Sequence, residues 1–297
     1  MADVAILGSR RQGWHGQRLE EALAAHGLTV RRVGFDRCRL EPGAAETGIR
    51  LGGRLDLPAA VLVRSIPAGS FEQVTRRLTL LHALEACGVV VSNRPTAIER
   101  CVDKAAASFF LAKAGLPVPP TWVVERPEDA VALADRALTD GHPLVLKPLF
   151  GAQGKGLRLV RGPDELPPPE TVAGVYYLQR FVGRRSAGTA TWSDYRVLVA
   201  DGVPVAAMAR HATHWITNVG QGGVPRPVPA AGRLAELAVA AAATLGCDHA
   251  GVDLVEDEDG RLLLLEVNSM PAWRGLQGVT TADVAERIAA ALVSRLR

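Results

Sequence analysis

Residues 252–268 read VDLVEDEDGRLLLLEVN, and this stretch decides how the chain is read. Two apolar-rich runs, 252–256 and 261–267, flank Asp259-Gly260, a pair suited to a two-residue type I′ turn because both central residues need positive φ. The expectation is a β-hairpin. With Glu258 facing Arg261 across that turn, the register carries Asp253 opposite Glu266, with Cβ atoms roughly 5 Å apart. Asn268 joins the same face by the two-residue strand period. Two carboxylates this close repel unless a cation lies between them. Three hard oxygen donors on strands suit Mg²⁺ or Mn²⁺, completed by water and phosphate oxygens. The alternative is an exposed hairpin with incidental acids, and that is the reading taken for Asp257, Glu258 and Asp259 at the turn.

The chain has 297 residues, enough for two or three packed units, and its 48% hydrophobic and 22% charged content is that of a globular protein. It has no run of about 18 apolar residues, and its N-terminal apolar stretch is too short for a signal peptide. A cytoplasmic protein that does not engage the membrane is expected. Cys38, Cys87, Cys101 and Cys247 are far apart and form no CxxC pair, so reduced, buried thiols are expected rather than a zinc knuckle or a disulfide framework. The net charge of +3 is spread along the chain with acids between the arginine pairs, which argues against a nucleic-acid partner. Of the 34 basic residues only Lys104, Lys113, Lys147 and Lys155 are lysines. In a chain that otherwise uses arginine, a retained lysine points to a need for a compact ammonium.

The first segment alternates strand and helix. Strands are expected at 4–8, 28–34, 59–66 and 89–93, with helices at 17–26 and 71–87, which makes a small parallel α/β unit. A helix over 96–114 runs into AGLPVPP, whose prolines mark a boundary. An antiparallel set with one crossing helix (127–138) follows: TWVVE, PLVLKPL, GLRLV and VYYLQRFV. Beyond it lie a hairpin turning at Asp201-Gly202, a helix over 232–245, the hairpin quoted above and a last helix over 281–296. The prolines at 163–169 read as a surface loop.

PLVLKPLFGAQGKGLRLV is the second chemical element. It places Lys147 near the end of one strand, then glycines at 151, 154 and 156, then another strand. A Walker A loop or a dinucleotide fingerprint opens a helix, so neither is present. A glycine-rich hairpin can still lay backbone N–H groups against phosphates, with Lys147 adding a point charge; a plain hairpin tip with a snorkelling lysine is the alternative. Lys104 sits near the expected domain joint, where ligands often bind. Lys113 is read as complementing a helix C-terminus.

These pieces in this order (DK on a helix, GLPVP, LVLKP, GAQGKG, YLQRFV, DYRVLV and the acid pair closing in EVN) resemble the ATP-grasp superfamily. Within it they resemble the RimK-type carboxylate–amine ligases, which add L-glutamate to an acceptor carboxyl. VLVRSIPAGSFEQV, HWITNV and NSMPAWRGLQ look like the tetrahydromethanopterin α-L-glutamate ligase subgroup. The resemblance covers nearly the whole chain. It implies an α/β fold with an α+β lid: an N-terminal parallel α/β domain (1–97) followed by two α+β subdomains, 98–183 with the glycine-rich loop and 184–297 with the metal site, clamping ATP. It also implies that Lys104 and Lys147 bind ATP phosphates under a loop of Gly151, Gln153, Gly154, Lys155 and Gly156. Arg180 and Phe181 would meet adenine through backbone groups, with Asp194, Thr217 and Asn218 also near the nucleotide. Asp253, Glu266 and Asn268 fall on the family's metal ligands, the three residues the hairpin register selects. The sequence departs from the pattern at Arg180, where the family commonly has Glu, at Ile216, where an Arg often precedes SN, and at GQGG in place of HRGG. The acceptor or phosphate network is therefore expected to differ.

The reaction implied is ATP-dependent activation of a carboxylate to an acyl phosphate, then attack by an amine. Catalysis of this kind rests on positioning and charge stabilisation and needs no protein nucleophile. Arg196 and Arg210, on paired strands, are the candidates for that stabilisation, an ordinary surface role for Arg210 being the alternative. His211 and His214 are not read as metal ligands. Trp14 and His15, Arg64 at a strand end, and His214-Trp215 are the candidates for the acceptor side, where aromatic rings suit a flat acceptor such as a pterin. Ordinary loop packing is the alternative there. The expected partners are ATP, L-glutamate and a carboxylate-bearing acceptor. A protein C-terminus, an amino-acid carrier protein or a polyglutamate tail are alternative acceptors, an inactive nucleotide-binding module is the alternative of another class, and a homo-oligomer stays open.

Overall fold

The computed structural model describes residues 2–9, 13–44, 47–151, 154–183 and 191–296. The chain opens with β1 (Asp3–Gly8), α1 (Gly13–Ala25), β2 (Thr29–Gly34), the short strands β3 (Cys38–Leu40) and β4 (Ile49–Leu51), β5 (Ala60–Val63), α2 (Phe71–Ala86) and β6 (Val90–Ser92). Four of these strands form a parallel sheet in the order β2-β1-β5-β6. Its strands read as unbroken apolar runs because both faces are covered; Val4, Ala5, Ile6 and Leu7 have no exposed surface. The β3–β4 pair was not expected, since three residues are too few to carry a period-two signal.

The single helix expected over 96–114 is two helices, α3 (Pro95–Val102) and α4 (Lys104–Lys113). The break is at Asp103. Its carboxylate accepts from the backbone N–H groups of Ala105 (2.8 Å) and Ala106 (3.2 Å), so it caps α4 and makes Lys104 the first helical residue. Next come β7 (Thr121–Val124), α5 (Pro127–Thr139), β8 (Leu144–Lys147), β9 (Arg158–Val160) and β10 (Tyr176–Arg180), with the strands in an antiparallel sheet ordered β7-β10-β8-β9.

The last part holds β11 (Trp192–Ala200), β12 (Val203–Ala212), β13 (Val224–Val228), α6 (Gly232–Leu245), β14 (His249–Glu256), β15 (Leu262–Asn268), α7 (Arg274–Gln277) and α8 (Val284–Ser294). The sheet order is β13-β12-β11-β14-β15. Two Asp-Gly pairs turn hairpins here, and they turn differently. Asp201 and Gly202 both have positive φ (52° and 69°), as a two-residue type I′ turn requires. At 259–260 only Gly260 does (80°), so the type I′ turn expected there is corrected to a three-residue loop with glycine in the left-handed position. Asp257 explains the difference: its Oδ1 accepts from the N–H groups of Asp259 (3.0 Å) and Arg261 (2.8 Å), holding 257 and 261 as the closing pair. The longer loop shifts the register by one. A bulge at Leu265, between Leu264 opposite Leu254 and Glu266 opposite Asp253, shifts it back.

One face of the five-stranded sheet is apolar throughout: Val197, Val199, Ala207, Val252, Leu254, Leu264 and Val267 pack with α6 and with Ala107 and Leu111 of α4. The opposite face is divided. Leu198, Ala206 and Met208 share a core with β1, β5, α1, α8 and Trp273, whereas the other end carries Asp194, Arg196, Arg210, Asp253 and Glu266. Asn93, wholly buried at the end of β6, ties the parallel sheet to this one. Its Nδ2 donates to the carbonyls of His249 (2.8 Å) and Ser269 (2.5 Å), and its Oδ1 accepts from the N–H groups of Asp248 (2.6 Å) and His249 (3.0 Å). Asn93→Ala strips four buried backbone groups of partners and is expected to lower stability by about 3 kcal/mol, read as a lower denaturant midpoint.

Among the described residues no helix is long and apolar enough to cross a membrane. All four cysteines are free, but Cys87, at the end of α2, is exposed where a buried thiol was expected.

Candidate active site

A cleft of about 950 Å³, open to solvent, lies between the β7–β10 sheet and the polar end of the five-stranded sheet. Among the described residues, Lys104, Lys147, Lys155, Arg180 and Arg210 line it against three carboxylates, Asp194, Asp253 and Glu266. The cleft is cationic. Lys147, on β8, donates to Gln179 Oε1 at 2.6 Å, and Gln179 in turn donates to Thr121 Oγ1 (2.9 Å) and to the Tyr177 hydroxyl (3.2 Å). Burial pushes the Lys147 ammonium down to about 8, the Glu266 carboxylate offsetting only part of this. Lys104 donates to the Gly151 carbonyl at 2.8 Å and stands 3.9 Å from Glu266; burial lowers its pKa as well.

Glu266, Asp253 and Asn268 share one face, because Asp253 pairs with Glu266 and Gly251 with Asn268 across β14 and β15. Arg196, opposite Asp253 on β11, holds it with two hydrogen bonds of 2.7 Å, and Arg210 approaches the same carboxylate at 3.2 Å. Burial would raise the Asp253 carboxyl, but the two guanidiniums outweigh it and hold the group below the usual carboxylate range. Arg210 also forms a bidentate pair with Asp194, which in addition bonds Thr217. For Asp194 burial wins and its pKa is raised. The surface role held open for Arg210 is corrected: only 2% of the residue is exposed, and it is the counter-ion of two buried acids. Arg196 meets the cleft through Asp253, since its own side chain is not part of the lining.

These donors fit a hard cation. Among the described residues Glu266 has one ion-pair contact, Lys104 at 3.9 Å, and Asp253 Oδ1 accepts a single bond and keeps a lone pair; Asn268 would turn its amide oxygen, not its unpartnered Nδ2, to the ion. Among the described residues no group of three or more His, Cys, Asp or Glu could hold a metal. An ion here would therefore need Asn268 and ligand oxygens to complete its shell.

Gly154 has positive φ (68°), and a Cβ there would meet Asn218 Oδ1 at 2.5 Å and Ile216 Cγ2 at 2.8 Å. Only glycine lets the loop seat against the 216–218 segment, which brings Gly151, Gly154, Lys155, Thr217 and Asn218 to one cleft. Gly156, also at positive φ, packs on Pro148, and Gln153 lies outside the described residues. Phe181 meets Trp192 and Trp215 edge to face, with ring centroids 5.4 and 5.8 Å apart, at the cleft's apolar end. Leu265, thrown out by the bulge, also lines the cleft.

The five acceptor-side candidates divide. Trp215 lines the cleft, with His214 beside it on the exposed side. Trp14, His15 and Arg64 gather instead around Trp273. The His15 ring centroid lies 4.6 Å from that of Trp273 and its Nε2 accepts from the Trp273 N–H at 3.1 Å; Trp14 is at 6.3 Å, and the Arg64 guanidinium lies 5.3 Å above the indole. Two residues with central places were missed in the sequence, Gln179 and Trp273. A glutamine inside the apolar run VYYLQRFV is the signal that could have found the first, since a buried amide needs partners. Nothing local marks the second.

Residues 101–292 match the RimK-like ATP-grasp domain family. The chain is 35% identical over 240 residues to a tetrahydromethanopterin:alpha-L-glutamate ligase of Methanococcus maripaludis, covering 79% of this chain and 78% of that one. It is 30% identical over 294 residues to probable alpha-L-glutamate ligase 2 of Shewanella baltica, covering 96% and 93%. Among solved structures, the ATP-grasp ligase PsnB complexed with minimal precursor, Mg and ADP has the same fold, with a TM-score of 0.74 at 22% identity over 99% of this chain and 97% of that one. The RimK domain protein ATP-grasp from Sphaerobacter thermophilus has a TM-score of 0.68 at 25% identity, over 98% and 100%. With the family matched over most of the chain and two relatives at 30% identity or above, this protein belongs to the RimK-like ATP-grasp family of ATP-dependent carboxylate–amine ligases.

Proposed function

We propose that this protein acts in the cytoplasm and uses ATP and Mg²⁺ to add L-glutamate to the carboxyl of a small-molecule acceptor, a tetrahydromethanopterin-type coenzyme. The observation that carries the reading is the cationic cleft in which Lys104 and Lys147 face the Asp253–Glu266 pair. The kinship with relatives named as glutamate ligases supports the substrate. Residues 98–183 and 184–297 would form the two jaws, with 1–97 beside them.

Lys104 and Lys147 bind the phosphates as point charges, and Gly151, Gly154 and Lys155 lie over them. Phe181 and Trp215 bound the adenine end. Asp253, Glu266 and Asn268 would hold Mg²⁺, which when bound neutralises phosphate charge. Arg196 and Arg210 hold Asp253 ionised and in place, and Arg210, which lines the cleft, keeps positive charge beside the acceptor carboxylate as it takes the γ-phosphoryl group with release of ADP and then loses phosphate to attack by the glutamate amine. ADP release with Mg²⁺, L-glutamate and a panel of acceptors tests the reading. Stimulation by pterin-type carboxylates is the expected result; stimulation only by peptides would move the acceptor to a protein, and ATP binding without stimulation would sink the ligase reading.

The Lys147 assignment has its own pH signature. The ammonium is charged below its free-enzyme pKa and lost above it, so kcat/KM for ATP should fall as pH rises through about 8. In Lys147→Arg this limb should move to higher pH, because a guanidinium does not titrate in this range and only the Lys104 ammonium is left to do so. An identical limb in both proteins would remove Lys147 from the phosphate site.

A further inference from the structure

Arg64, the residue after β5, is partly buried and has no carboxylate partner among the described residues. Its Nη1 donates to the Met270 carbonyl at 3.2 Å and its guanidinium rests over Trp273; burial with no compensating anion lowers its pKa to about 10. Arg196 and Arg210, by contrast, each have a carboxylate. A desolvated charge without a counter-ion is costly to keep, and a ligand anion is what would balance it.

The position in the fold points the same way. β1 and β5 are neighbours in the parallel sheet, yet the chain leaves β1 towards β2 on one side and β5 towards β6 on the other. The crevice at the carboxyl ends of two such strands is where open parallel sheets take ligands. Arg64 lies at that end, as does the first turn of α1, whose positive dipole end has no acidic residue. Arg274 adds a second guanidinium, 5.9 Å above Trp14. His15 stays neutral, its pKa pushed down to about 4 by burial, by Arg64 and by Arg274. This end of the sheet also adjoins the acid face. The loop carrying Met270 and Trp273 continues directly from Asn268, and its Ala272 carbonyl accepts from Arg196 at 3.3 Å.

We propose that Arg64, backed by Trp273 and Arg274, is the anchor for a substrate carboxylate other than the one being phosphorylated. The proposal rests on the ligase reading above, and it has two sources for the anion: the incoming amino acid, or a second carboxylate on the acceptor. Steady-state ADP release by the full chain, varying L-glutamate, acceptor and ATP in turn, separates them. Arg64→Gln should raise KM for one carboxylate substrate about tenfold to a hundredfold while leaving KM for ATP unchanged. Arg64→Lys should recover only part, since an ammonium lacks the planar fork. A rise for L-glutamate alone assigns the subsite to the amino acid, and a rise for the acceptor alone assigns it to the acceptor. If neither KM moves, or if all three rise together, the proposal is overturned. Isothermal titration of L-glutamate in the presence of Mg²⁺ and AMPPNP keeps this distinct from the ligase reading. Glutamate that binds wild type and is weakened in Arg64→Gln, with no acceptor-stimulated ADP release, would sink the ligase reading and leave the subsite standing.

Discussion

Glu266→Ala should reduce acceptor-dependent ADP release by about a hundredfold to a thousandfold without loosening the fold, because one oxygen donor to the cation and its phosphates is gone. Its one ion pair among the described residues is the 3.9 Å approach of Lys104, which already donates to Gly151. The thermal midpoint of the variant should therefore match that of wild type. Turnover and melting measured on one preparation check both halves, and near-normal turnover would remove the metal assignment.

Arg210→Met should have the opposite profile, with stability the first casualty. The guanidinium is the counter-ion of Asp194 and Asp253, both buried, and a thioether leaves two carboxylates facing each other in a desolvated setting. Breaking a buried ion pair from one side costs about 3–5 kcal/mol. For a chain of this size that is a fall of roughly 10 °C in Tm. The sign of the pH response follows. Without Arg210 the Asp194 carboxyl, already raised by burial, rises further above its unfolded value, so stability is gained as pH falls and lost as pH rises through the folded pKa. Lowering pH from neutrality should thus restore part of the loss, and so should adding Asp194→Asn. A wild-type melting curve for Arg210→Met would show that the pairing carries no net stability.

Much of this architecture was legible because it is written in local periods. The parallel strands show as apolar runs, the Asp201-Gly202 turn as a dipeptide needing two positive φ values, and α6 as an apolar helix beginning at Gly232 and ending before Gly246. The Lys147 strand and the glycines after it could likewise be placed without coordinates. Asp103 was legible in principle, since an aspartate followed by Lys-Ala-Ala-Ala is a capping signal, but the apolar spacing on either side favoured one continuous helix. Gln179 fell in the same class.

The Asp253–Glu266 pairing shows where the sequence stops. The expectation was right through two departures that cancel: Asp257 lengthens the turn by one residue, and Leu265 bulges out to restore the register. Without that bulge Glu266 would face the apolar side, because a one-residue slip reverses every side chain of a strand. Sequence alone determined the residue types suited to phosphate and a cation, the strands and helices that carry them, and the class of chemistry they suit. Only the tertiary structure decided that Arg210 is buried between two acids, that Asn93 ties two sheets, and that Arg64 lies over Trp273 with no carboxylate partner among the described residues. The physical reason is range. Propensity and turn chemistry act over a few neighbouring residues, whereas a bulge, a shared counter-ion or an uncompensated charge depends on groups as far apart as Arg64 and Met270.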